Sequence, residues 1–89
     1  MISGHLGGTL TFTDPGDYYT GMPAIKSIRW TSPNAAAGDG VLVQDAQGDV
    51  LFRSIADGKW FIDFFPLYKW VTDINIVQLD SGTIDVVTQ

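Results

Sequence analysis

Apolar and polar residues alternate with a period of two through most of this 89-residue chain, and turn residues interrupt the alternation about every ten positions. That spacing predicts strands and leaves little room for helix. The first predicted strand covers residues 6–13, where Leu6, Gly8, Leu10 and Phe12 alternate with Gly7, Thr9 and Thr11. Asp14-Pro15-Gly16-Asp17 is turn chemistry, and residues 18–23 read as a loop. In the second strand, residues 24–31, Ile28 and Trp30 share a face with Lys26, while Ile25, Ser27 and Arg29 lie opposite. Residues 32–40 are small and flexible and read as an exposed loop.

A hairpin is expected between residues 41–45 and 49–55, because Ala46-Gln47-Gly48 supplies a short connection with a glycine that tolerates positive φ. Asp57-Gly58 leads into residues 59–65, with Trp60, Ile62 and Phe64 facing one way and Phe61, Asp63 and Phe65 the other. Pro66 ends that strand or marks a sheet edge, since it has no N–H for the ladder. In residues 74–79 the pattern changes phase, Ile74 and Ile76 on one face and Val77 and Leu79 on the other, which suggests a bulge or burial on both faces. Asp80-Ser81-Gly82 turns the chain into a last strand, residues 83–88. The expected fold is all-β: one domain over residues 1–89, an antiparallel β-sandwich or barrel, jelly-roll-like, of six or seven strands.

Composition narrows the function classes. All ten acidic residues are aspartate, which favours turns over helices, and they outnumber five basic residues for a net charge of −5. That field repels a phosphate backbone and an anionic bilayer surface, so neither nucleic acid nor membrane is expected as a partner. The N-terminal residues show no basic region followed by an apolar stretch, so no signal peptide is expected. With no cysteine and one histidine, disulfides and metal sites are not there to reinforce so small a core, and self-association is the expected source of extra burial.

Catalytic patterns are not found. Nucleophilic catalysis needs a base beside the nucleophile, and the single imidazole, His5, sits near the N-terminus and reads as a surface residue. Asp39, Asp45 and Asp49 cluster at glycine turns without the spacing or the glutamate of a calcium loop. Gly7-Gly8 lacks the helix and the lysine of a phosphate loop. No catalytic, cofactor-binding or metal residues are therefore assigned, and a non-enzymatic role is expected. Trp30, Trp60, Phe52, Phe61 and Phe64, in alternating strands, read as core. Tyr18, Tyr19, Phe65, Leu67, Tyr68 and Trp70, in loops or at strand ends, read as candidate interface residues. Stacking on sugar rings would use similar side chains, so a carbohydrate- or host-surface-binding module associated with a tail or fibre is the alternative.

Three stretches carry a family resemblance: Ile25-Lys26-Ser27-Ile28-Arg29-Trp30-Thr31, then residues 40–52 around Asp45-Ala46-Gln47-Gly48, and Leu79-Asp80-Ser81-Gly82-Thr83-Ile84-Asp85-Val86. A strand ending in Trp-Thr, an Asp-x-x-Gly hairpin and a closing strand after a Ser-Gly turn resemble small β-proteins of tailed phages, of the head-decoration or cement type. The resemblance implies a virion protein that stabilises the head as a homo-oligomer, often a trimer, bound to the major capsid protein.

Overall fold

A computed structural model describes residues 2–3 and 8–89 of the protein, with side chains from Gly8 onward. The described residues form nine strands and no helix: β1 (Ile2–Ser3), β2 (Thr9–Phe12), β3 (Tyr18–Tyr19), β4 (Ala24–Ser32), β5 (Gly40–Gln44), β6 (Val50–Ile55), β7 (Phe61–Trp70), β8 (Ile74–Leu79) and β9 (Thr83–Thr88). One sheet has the order β1-β2-β9-β4-β7 and the other β3-β8-β5-β6, with every pairing antiparallel. From β2 to β9 this is the eight-strand connectivity of a double-sheet jelly roll, and β1 is appended beyond β2.

The expected sandwich is present, with nine strands rather than six or seven. The two additional ones, β1 and β3, hold two residues each, too few for a period to show, and β3 lies where a loop was expected. The first expected strand starts later, at Thr9; Leu6, Gly7 and the His5 reading lie outside the described residues.

Inward-facing residues of both sheets build one core. Leu10, Phe12, Ile28, Trp30, Ile84 and Val86 come from the larger sheet, and Val41, Val43, Phe52, Ile74 and Ile76 from the smaller. Bulges set which residues join it, one of them in β6, where Phe52 pairs with Val43 and Val50 with Gln44, so Leu51 is extra and both Leu51 and Phe52 are buried. Ile25 pairs with Thr88 and Ser27 with Val87, so Lys26 is an extra residue in β4. Ile25 therefore sits on the core side with Ile28 and Trp30, and Lys26 is exposed, which corrects the assignment of Lys26 to the Trp30 face. In β8, Gln78 pairs with Leu42 and Ile76 with Val43, so Val77 is extra. The phase change is that bulge: Ile74, Ile76 and Leu79 all point inward, and Val77 points out.

Turns close as the residue types dictate. Asp45 Oδ1 accepts the N–H groups of Gln47 and Asp49 at 3.0 and 2.9 Å, and Gly48 takes φ +87°, giving the expected hairpin between β5 and β6. At the β8–β9 turn, Gly82 (φ +76°) lies directly under β4. There the Trp30 indole N–H donates to the Ser81 carbonyl at 2.8 Å, and the Ser32 and Ser81 hydroxyls share a 2.7 Å hydrogen bond. Gly40 N–H and the Gln78 amide both donate to Asp80 Oδ2 at 2.8 Å, which holds that carboxyl below its ordinary pKa.

Candidate interaction surface

The most exposed apolar element is β7, the edge of the five-stranded sheet. Its ten residues include five aromatics, and most of the strand meets solvent. Pro66 lies inside the strand, so it marks an edge and not an end. The alternation of residues 60–65 is as expected, but its consequence differs. Trp60, expected in the core, is 78% exposed and precedes the strand at φ +61°, a left-handed conformation unusual for a bulky residue. Phe64, likewise expected inside, is 57% exposed. Trp30 and Phe52 are buried, and Phe61 is half-buried with its ring 5.3 Å from that of Trp30. A left-handed non-glycine residue costs about 1–2 kcal/mol. Trp60→Gly is thus expected to raise stability by roughly 1 kcal/mol, less the entropy glycine adds to the unfolded chain, as read by urea unfolding.

Of the six candidate interface residues, Phe65, Leu67, Tyr68 and Trp70 lie in β7 and Tyr18 and Tyr19 in β3. They do not form one patch. β7 is adjacent to β6, whereas β3 is the opposite edge of the four-stranded sheet. Tyr18, Tyr68 and Trp70 are well exposed, Phe65 less so, and Tyr19 and Leu67 pack partly against the core. Ile62, Phe64 and Trp60 complete the apolar edge and were not among the candidates; Pro66 was the signal for them, because an edge strand has neighbours on one side only.

Hydrogen bonding shows how this edge is held. The bonds Thr88 N–H to Gly8 O and Gln89 N–H to Ala24 O fix which residues of β9 face each neighbour. By alternation and the Lys26 bulge, Ile28, Trp30 and Ser32 exchange backbone bonds with Phe65, Asp63 and Phe61. The backbone groups of Ile62, Phe64 and Pro66 consequently face the open side. Phe64 N–H donates to Asp63 Oδ1 at 2.9 Å, and Pro66 has no N–H. Tyr68 at φ +49° breaks the extended line further on. Asp63 turns inward, where Ser54 Oγ of β6 donates to it at 2.6 Å and ties the two sheets together.

No family model, curated protein or solved structure matches this chain.

Three shallow clefts border β7. One of about 200 Å³ lies between β6 and β7, lined by Phe52, Arg53, Asp63 and Phe65 among others. A second, of about 230 Å³, lies on the outer face of the five-stranded sheet among Thr9, Ser27, Arg29, Phe64, Asp85 and Val87. The third, about 240 Å³, is an apolar hollow beside Trp60, completed by Thr31, Pro33, Phe61 and Ile62. Among the described residues no three acidic or imidazole side chains gather as a metal site would require. Asp39 and Asp45 instead accept backbone N–H groups of their own turns. The chemistry on offer is apolar and aromatic contact.

Proposed function

We propose that the chain is a non-catalytic structural subunit of a tailed-phage virion, of the head-decoration type, working as a homo-oligomer on the shell of the major capsid protein. The observation that carries this reading is the exposed aromatic strand β7, which with Trp60 just before it presents Trp60, Ile62, Phe64, Tyr68 and Trp70 to solvent. Contiguous apolar surface of that kind on a small domain belongs to an interface. The jelly-roll connectivity supports it by analogy of fold, since capsid domains use this architecture, and so does the resemblance of residues 25–31, 40–52 and 79–86. The test is cosedimentation of the purified protein with phage heads that lack decoration. Saturable binding is expected, with Trp70→Ala weakening it while leaving the melting temperature unchanged. Heads that bind no protein at any concentration would overturn the reading.

Carbohydrate binding is the second reading, favoured by one feature: the apolar hollow beside the solvent-facing ring of Trp60. Lectin domains also use the jelly roll. Retention on immobilised polysaccharides that is lost in Trp60→Ala would favour it over head binding.

A further inference from the structure

We propose that the outer face of the five-stranded sheet is a self-docking surface, on which a second copy of this chain seats with Phe64 of each copy in the hollow of the other. The proposal rests on the reading of the chain as an assembly subunit and names how the copies meet. Three rows of paired residues make up this face. They are Thr9, Val87, Ser27 and Pro66; Thr11, Asp85, Arg29 and Phe64; and Thr83, Thr31 and Ile62.

Charge is compatible with a second copy as the occupant. Eight of the ten aspartates, Asp14, Asp17, Asp39, Asp45, Asp49, Asp57, Asp73 and Asp80, lie in the connections between strands, and only Asp63 and Asp85 lie within strands. The three rows carry one cation and one anion, Arg29 and Asp85, which sit 3.4 Å apart. A chain of net charge −5 repels its own kind through most approaches. Both sheet faces are clear of that field, and on this one, beside the exposed Lys26, Arg29 and Asp85 offset each other and can exchange partners across a two-fold axis, so repulsion does not bar a second copy here.

Shape agrees with charge. Phe64 projects from the face beside a hollow of about 230 Å³ that it lines together with Ser27, Thr9 and Val87. A knob next to its own hole is self-complementary under a two-fold axis, as a paired homodimer interface requires. The same axis brings Arg29 of each copy toward Asp85 of the other. Four strands about 4.8 Å apart, of four, six, nine and ten residues at about 3.4 Å each, give roughly 450–500 Å² in projection per copy. Two such faces reach the roughly 1,000 Å² at which specific association begins, the size class of weak, transient pairs.

Pairing by strand addition is not the mode. At the open edge, Phe64 N–H is taken by Asp63, Pro66 offers no donor, and Tyr68 leaves the extended conformation. Of residues 62, 64 and 66, only Ile62 keeps an N–H directed outward. These are devices that protect an edge, and they leave the side-chain face as the route to association.

Sedimentation across the micromolar range decides between the modes. The wild type is expected to dimerise. Phe64→Arg and Ile62→Arg, both at exposed positions, are each expected to weaken the dimer about 30-fold or more, as loss of a central anchor does. Val77→Arg on the other sheet is expected to leave the dissociation constant unchanged, and Pro66→Val, which restores an edge donor at a position on the docking face itself, is expected not to tighten the dimer. Circular dichroism of each variant establishes that it is folded. A monomeric wild type overturns the proposal. So does a folded Phe64→Arg and Ile62→Arg pair that dimerise normally, or a Pro66→Val dimer that tightens several-fold. Head binding is measured separately: dimers that ignore heads would sink the virion reading alone, and head binding with unaltered variant dimers would sink this docking mode alone.

Discussion

Gly82→Ala is expected to cost about 3–4 kcal/mol and to lower the melting temperature by about 15–25 °C. Two effects add. At φ +76° an alanine is in the left-handed region, which costs about 1–2 kcal/mol. The added Cβ would also overlap the Thr31 carbonyl oxygen and come within 2.7 Å of Ser32 Cα. Both are backbone atoms of β4, a central strand, so no rotamer change relieves the overlap and the turn or the strand has to shift. A chain of this length has only about 4–13 kcal/mol of stability in all, so the variant is expected to be partly unfolded at 37 °C. Gly48→Ala is the control. Its φ is +87° but nothing lies within 4 Å of the new Cβ, so only the conformational cost of about 1–2 kcal/mol remains. Thermal melts that rank the two alike would show that the close approach of the β8–β9 turn to β4 is wrong.

The second large effect is at Trp30. Its side chain is 0% exposed, stacks obliquely on Phe61 and donates to the Ser81 carbonyl. Trp30→Ala is expected to cost about 4–5 kcal/mol, at the upper end for an aromatic truncation because the carbonyl also loses its partner. Trp30→Phe keeps most of the volume and discards the hydrogen bond, and should fall roughly midway. Trp60→Ala, by contrast, is expected to change stability by less than about 0.5 kcal/mol, since an exposed ring forms no part of the core. Urea unfolding of the three variants side by side checks the ranking. A large loss at Trp60 would return that residue to the core.

The contrast between these two tryptophans shows what the sequence could and could not convey. Both alternate with polar or apolar neighbours in strand-like runs, and local pattern treats them alike. What separates them is tertiary: β4 is central and β7 is an edge, so inward and outward faces carry different neighbours. Residues 60–65 are apolar on both faces, which hides the direction of the core. The turns were legible because they rest on local chemistry; Gly48 and Gly82 both adopt the positive φ that their residue type allows. The bulge at Val77 was visible as a change of phase in a run of large apolar residues. The bulge at Lys26 was not, since a single extra residue between Ile25 and Ser27 leaves a sequence that still alternates plausibly. The candidate surface was half legible: Tyr68 and Trp70 stood out as aromatics at a strand end, while Ile62 and Phe64 were concealed by a period that suits a core strand equally well.

The pairing of β2 with β9 has a kinetic consequence. Thr9 lies opposite Val87, and Thr11 bonds Asp85 across 74 positions of chain. During synthesis β2 has to wait for the strand that completes its place in the sheet, made some 74 positions later. The five-stranded sheet therefore cannot close progressively as the chain grows; it closes only once β9 has been made. Closing so many long loops at once places the folding time in the range of milliseconds to seconds typical of non-local β topologies. Through that interval the apolar stretch from Trp60 to Trp70 has only β4 to pair with, and Asp63, Pro66 and Lys69 are the residues that interrupt it and hold newly made chains apart.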